Sequence, residues 1–189
     1  MSASDRERWD KKYAKGEGPA HFAPKAFLTD HRHLLTGGRA LDFACGFGGN
    51  ALYLAELGYQ VDAVDISIVA LRQAQAEARR RRQALRLIQA DLTRWWVPRR
   101  HYDLIILFLY SARDLMPQLL EGLRPGGLIF QLNRNPRTLE SRPTFNPDFL
   151  IEPGELRRAA LAAGLEILFV ADELPDDPTT TALIARRPA

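Results

Sequence analysis

Residues 39–67 read RALDFACGFGGNALYLAELGYQVDAVDIS, and the order of residue types in that stretch decides the fold. A short apolar run, Ala40 to Ala44, meets a turn rich in glycine at Gly46, Gly48 and Gly49. Glycine there permits a tight bend and lets backbone approach a ligand closely. Ala51, Leu52, Leu54, Ala55 and Leu57 then fall on one helical face, and Gly58 stands where a left-handed C-terminal cap is expected. Val61 to Val64 is the next strand, with Asp65 at its carboxyl end. Strand, loop, helix, strand ending in an acid is nucleotide-site geometry: a loop feeds a helix N-terminus, and a carboxylate one strand over can take both ribose hydroxyls.

Glycine spacing alone leaves the nucleotide open. Gly46 to Ala51 also satisfies the dinucleotide pattern G-x-G-x-x-(G/A), which keeps an NAD(P)-dependent oxidoreductase as an alternative. Asp42 tips the balance. A carboxylate inside a parallel strand is costly unless something cationic or hydrogen-bonding meets it. The ammonium of S-adenosylmethionine (SAM) would meet it, whereas the pyrophosphate of NAD would be repelled. LDFACGFGGN followed by VDAVDIS resembles motif I and the acidic second-strand end of the class I SAM-dependent methyltransferases. A second match in the right order is Leu123-Arg-Pro-Gly-Gly127 ahead of the apolar run Leu128 to Leu132, which resembles the turn into the fifth strand of that family.

The 189 residues suffice for one domain with a sizeable core, and 1–189 is read as a single domain, with cap helices and a lid loop in 1–38 and the core in 39–189. A lone cysteine excludes an intrachain disulfide and fits a reducing compartment. The start MSASDRERWDKKY is charged rather than apolar, and the longest apolar run, Leu104 to Tyr110, is far too short for a membrane span, so a soluble, cytoplasmic protein is expected. Twenty-six basic against 23 acidic residues give a net charge of +3, a small excess. Arg79 to Arg82 concentrate some of it at the end of a helix expected from Ser67, where cations suit the helix dipole; an RNA-facing patch is the other reading.

Ser4 and Glu7 read as a capping box opening a helix to about Ala14, on which Trp9 and Tyr13 share a face. RWDKKYA resembles the W-D-x-R-Y start of small-molecule methyltransferases of the tellurite-resistance and thiopurine type, which implies Trp9 and Tyr13 as lid residues over the cofactor where ordinary packing on the domain is the other reading, and Gly16 to Pro24 has the density of glycine and proline that a covering loop requires. Lys25 to Leu35 reads as a helix, with His31 and His33 on different faces and metal ligation by that pair disfavoured. Ser67 is a plausible N-cap for a helix with Val69, Leu71, Ala74 and Ala78 inward. Leu85 to Ala90 is a third strand and Asp103 to Leu109 a fourth, buried on both faces. Leu115 to Leu123 reads as helix, Asn133 to Pro147 as loop, and Pro153 as the first turn of a helix capped by Gly164. Leu165 to Ala171 and Thr180 to Arg186 make a closing antiparallel hairpin. Phe149-Leu-Ile-Glu-Pro-Gly-Glu-Leu156 resembles the F-L-L-x-P-G-E-L segment of the same tellurite-resistance-like group.

The resemblance spans nearly the whole chain and implies an α/β three-layer sandwich with a seven-stranded, mostly parallel sheet in the order 3-2-1-4-5-7-6. It implies cofactor contacts at Asp42, Ala44, Gly46, Gly48, Asn50, Asp65, Ile66, Asp91, Leu92 and Phe108. Asp42 would lie near the methionine ammonium and Asp65 on the ribose. Asp91 would take the adenine amino group, unless it merely caps a turn, and Leu92 would offer its amide. The expected reaction is direct SN2 transfer of the SAM methyl to a small acceptor (a thiol, metalloid oxyanion or heterocycle), leaving S-adenosylhomocysteine. Tyr110-Ser-Ala-Arg113 lacks the (D/N)-P-P-(Y/F) signature of base amino-methylation, which disfavours a nucleic-acid partner. No catalytic residue is fixed. Candidates for the acceptor side are His21, Tyr110, Arg113, Asn133 and Arg134, the two arginines through charge-assisted bonds to an anion. No metal and no membrane partner are expected, the assembly is a monomer or homodimer, and a SAM-binding, RNA-associated protein without catalysis remains the other alternative.

Overall fold

A computed structural model describes residues 3–15 and 22–189. His21 and most of the proposed covering loop lie outside the described residues. The chain forms two compact units, one up to Trp96 and one from Val97. Their strands make a seven-stranded sheet in the order β3-β2-β1-β4-β5-β7-β6.

In the first unit, α1 (Ala3–Ala14) and α2 (Ala26–Asp30) precede β1 (Arg39–Phe43), α3 (Gly49–Glu56), β2 (Gln60–Asp65), α4 (Ile68–Arg81) and β3 (Leu85–Gln89). β2 pairs in parallel with β1 on one side and β3 on the other. In β1, Ala40, Leu41 and Phe43 are fully buried, which is why the run does not alternate apolar with polar, and Asp42 between them is buried too. α3 ends as its sequence dictates, with Gly58 left-handed at φ 87°. Ser67 caps α4, accepting the Ala70 amide at 3.2 Å, and Leu71, Ala74 and Ala78 turn inward.

The second unit contains β4 (Tyr102–Phe108), α5 (Met116–Gly122), β5 (Leu123–Arg134), α6 (Thr138–Ser141), α7 (Glu155–Ala162), β6 (Glu166–Ala171) and β7 (Thr180–Arg186). β4 and β5 are parallel, and β7 lies antiparallel between β5 and β6 as the closing hairpin. Leu104 to Leu107 are all essentially buried.

Several boundaries differ from expectation for local reasons. α1 begins at Ala3, so Ser4 lies within its first turn and not ahead of it. The helix read over 25–35 breaks at His31, whose ring Nδ1 donates to the Phe27 carbonyl at 2.9 Å, and continues as a 3-10 turn over Arg32–Leu34. The His31 and His33 rings stand 6.1 Å apart there. β5 begins at Leu123, absorbing the Pro-Gly-Gly turn as a register shift, and runs on through Asn133 and Arg134, which pair with Thr181 and Thr180 of β7. The segment after it is not all loop: α6 and a 3-10 turn over Pro147–Phe149 interrupt it. α7 starts at Glu155 behind a left-handed Gly154, so Pro153 precedes the helix.

Candidate functional site

The turn after β1 is built by backbone first. Cys45 donates its amide to the Val64 carbonyl at 3.1 Å, Gly48 donates to Cys45 at 2.9 Å, and Leu52 donates to Gly48 at 2.8 Å, so the loop closes directly into α3. Gly46 and Gly48 are left-handed, at φ 55° and 73°. The two serve different contacts. A Cβ on Gly46 would stand 2.9 Å from the Tyr13 hydroxyl, whereas one on Gly48 would meet Ala74 of α4 at 3.1 Å. Ala44 is also left-handed, at φ 64°, an uncommon state for a residue with a side chain and one that concentrates at functional turns.

Two carboxylates flank this turn. Asp65 is buried at the end of β2 and uses both oxygens: Oδ2 accepts the Gly46 amide at 2.8 Å and Oδ1 the Ser67 amide at 2.9 Å. Burial pushes its carboxyl up while those amides pull it back. Asp42 is 1% exposed, and its Oδ2 has no hydrogen-bond partner among the described residues. Burial, and then the charge of Asp65, push Asp42 up to about 7 against the Ala51 amide that holds it down. A buried, unpartnered carboxylate oxygen beside a glycine turn is what a ligand ammonium would satisfy. Burial and the two nearby carboxylates also drive the Cys45 thiol upward, which argues against a thiolate nucleophile.

Tyr13 and Trp9 of α1 stack at 5.7 Å, and Tyr13 meets Phe47 edge-on at 4.8 Å. With Phe22, Val69 and Ala70 these rings form one apolar cluster over the turn. Burial, with Asp65, Cys45 and Asp42 nearby, keeps the Tyr13 hydroxyl protonated. Asn50 is engaged structurally: its Oδ1 accepts the Lys25 amide at 2.8 Å. Ile66 is buried and its carbonyl accepts from Gln89 at 3.2 Å. Asp91 follows β3 and accepts the Thr93 amide and hydroxyl at 3.0 and 2.7 Å, the turn-capping geometry, with Leu92 buried behind it. Of the arginine run, Arg80 and Arg81 fold back on Glu77 at 2.6 and 2.7 Å.

In the second unit, Phe108 is buried at the end of β4, and Leu109 behind it is left-handed at φ 58° and 41% exposed. Tyr110 is half-buried in the following turn. The acceptor-side arginines are not presented as spare cations. Arg113 directs every guanidinium N–H to this chain's own acceptors: Glu155 at 2.6 and 3.0 Å, the carbonyls of Leu150 and Asp148 at 2.5 and 2.9 Å, and the Ser111 hydroxyl at 3.2 Å. Arg134 places its Nη1 among Asp177, Thr179 and Thr180 at 2.7–3.0 Å. Asn133 is buried within β5.

Sequence reasoning passed over Asp10 and Ser67 as a partner of Asp65. Asp10 was visible inside the W-D-K-K-Y start, but its partners come from α4, and nothing in the spacing points there.

Known proteins give these features a context. Residues 40–127 match the methyltransferase domain family. Malonyl-[acyl-carrier protein] O-methyltransferase of Enterobacter lignolyticus is 34% identical over 96 residues, covering 48% of this chain but 37% of that protein, so the chain spans well under half of that relative's length. Among solved structures, one concerned with the conversion of a disulfide bond into a thioacetal group during echinomycin biosynthesis superposes with a TM-score of 0.72 at 25% identity, covering 97% of this chain and 93% of the other. TehB from Haemophilus influenzae shares the fold with a TM-score of 0.70 at 18% identity, covering 96% of this chain and 66% of its own. Residues 40–127 are therefore similar to the methyltransferase domain family.

Proposed function

We propose that the chain binds SAM at the turn after β1 and transfers its methyl group to a small-molecule acceptor. The observation that carries this reading is the buried Asp42 oxygen without a partner among the described residues, since it calls for a cation where NAD would bring a phosphate. When bound, SAM supplies an electrophilic methyl on a sulfonium, and the positive charge is lost on transfer. The residues of the chain hold and position: Asp42 toward the ammonium, Asp65 toward the ribose, Gly46 for close approach, and Asp91 with Leu92 at the adenine. The aromatic cluster of Trp9, Tyr13, Phe22 and Phe47 excludes water, and a dry site favours charge loss over the charged ground state. Correct placement of the reactants supplies the rest.

The acceptor belongs with thiols and heterocycles more than with oxyanions, because Arg113 and Arg134 are already committed to internal acceptors. Sulfur chemistry in the echinomycin-pathway neighbour supports a soft nucleophile, which needs no dedicated base. The W-D-K-K-Y start, the F-L-I-E-P-G-E-L segment and the fold shared with TehB support a place near the tellurite-resistance and thiopurine-type enzymes. The chain acts as a monomer or homodimer on a molecule in solution. A SAM-consumption screen over thiols, thiopurine-like heterocycles, selenite and tellurite tests this; turnover with a thiol or heterocycle is expected, and SAM binding without turnover of any acceptor overturns it.

A further inference from the structure

The N-terminal helix and the glycine turn are joined in a closed circuit of contacts. Asp10 Oδ1 accepts the Ser67 hydroxyl at 2.5 Å and the Val69 amide at 3.4 Å. Ser67 in turn donates its amide to Asp65 Oδ1 at 2.9 Å, and Asp65 Oδ2 takes the Gly46 amide at 2.8 Å. The circuit closes on Tyr13, whose hydroxyl stands 2.9 Å from where Gly46 would carry a Cβ. Asp10 and Tyr13 are one turn apart on α1, so both ends of the chain of contacts belong to the same helix.

We propose that Asp10 is a positioning residue for the cofactor: by seating α1 on Ser67 it fixes the Asp65 carboxylate and the glycine turn in the arrangement that holds SAM. The inference rests on the SAM site described under Proposed function. The Ser67 hydroxyl has a single hydrogen and gives it to Asp10, which leaves its lone pairs for the Ala70 amide. Without Asp10 that hydrogen must find another acceptor, and the Asp65 carboxylate is within the same hydrogen-bonded cluster. Asp10 also places negative charge at the N-terminal end of α4 and, through its charge, helps raise the Asp65 carboxyl. The competing account is that α1 is held by its aromatic cluster alone, in which case Asp10 contributes only to stability.

The test is titration of the full chain with S-adenosylhomocysteine by calorimetry, alongside melting temperature, for the wild type, Asp10→Ala, Asp10→Asn and the Tyr13→Phe variants of each. Asp10→Ala is expected to weaken binding by about tenfold or more, within the range of ordinary coupling between sites. Asp10→Asn keeps an acceptor oxygen for Ser67 and Val69, so it should stay within about threefold of the wild type. The losses from Asp10→Ala and Tyr13→Phe should be non-additive, as for residues in one network. Wild-type affinity in Asp10→Ala, whatever its melting temperature, overturns the proposal. If Asp10→Ala fails to fold, Ser67→Ala replaces it, and unchanged affinity there is equally fatal. If the wild type itself does not bind S-adenosylhomocysteine, the SAM reading fails; the relay is then judged by amide exchange at Gly46 and Ser67, which Asp10→Ala should accelerate and which unaltered exchange would refute.

Discussion

Asp65 at the end of β2 accepts the backbone amide of Gly46 at 2.8 Å, so the carboxylate expected to meet a ribose also pins the turn expected to receive the rest of the cofactor. Replacing it with alanine strips the buried amides of Gly46 and Ser67 of their acceptor at once. Each orphaned donor costs about 1–3 kcal/mol, so Asp65→Ala should lower stability by about 2–6 kcal/mol. SAM affinity should fall by about a hundredfold or more, since a charge-assisted acceptor and the loop conformation are lost together. Denaturant unfolding and calorimetric titration measure the two effects separately, and full SAM affinity in a folded Asp65→Ala would remove this carboxylate from the site.

Asp42 gives a pH signature with opposite signs for stability and binding. Burial and the charge of Asp65 raise it from 3.8 to about 7, so between those values the folded protein keeps a proton that the unfolded chain has released. Stability therefore declines as pH climbs through that window. An ammonium partner favours the carboxylate, so SAM affinity should rise as pH climbs from about 5.5 to 7, by up to about tenfold per pH unit. Tyr13, Cys45 and Asp65 surround the group, and the first two remain protonated throughout. Asp42→Asn should flatten the profile; a flat profile in the wild type would mean that Asp42 does not face the cofactor's cation.

The framework was legible because its signals are local. An apolar run, a glycine turn, a helical face and an acid at a strand end each announce themselves within a few residues, and the hairpin after Gly164 follows from alternation around an acidic turn. Contacts between distant segments were not. The bond from the Lys25 amide to Asn50 joins residues 25 apart, and Arg113, a candidate for an anion by its place after β4, reaches carbonyls and a carboxylate in the segment 148–155 that no local pattern announces. Asn133 and Arg134 read as loop since prolines and arginines crowd the stretch, yet pairing with β7 extends the strand through both. Propensity describes a residue's neighbours in sequence, while sheet pairing and guanidinium bonds are set by neighbours in space.

Gly49 opens α3 against the backbone that leads into α2. A Cβ there would lie 2.5 Å from the Ala23 carbonyl oxygen and 3.1 Å from the Phe22 carbonyl carbon. Both are main-chain atoms, and the Lys25 amide is fixed to Asn50 close by, so the strand of backbone cannot simply lean away. Gly49→Ala should therefore destabilise by about 1–3 kcal/mol despite alanine's better helix propensity. The extra exchange should appear first in amides of residues 22–28, detectable by hydrogen exchange; a gain in melting temperature would show that the approach is looser than the geometry indicates.

Arg113 acts as a clasp in the second unit. Its guanidinium gathers the turn after β4, the carbonyls of Asp148 and Leu150 on either side of Phe149, and Glu155 at the start of α7. Glu155 also receives the Glu152 amide at 3.0 Å; burial pushes its carboxyl up, but the Arg113 bond, that amide and the charges of Arg113 and Arg158 together hold it low. The Arg113 side chain is 43% exposed, so water screens part of the pairing, and Arg113→Ala should cost about 1–2 kcal/mol, much of it from carbonyls left without a donor. Lysine cannot reproduce the planar fork, and Arg113→Lys should recover less than half of the loss. Limited proteolysis should then find new cleavage between residues 142 and 155. If Arg113→Ala keeps both its melting temperature and its protease resistance, the guanidinium is not a structural clasp and its availability to an anionic acceptor has to be reconsidered.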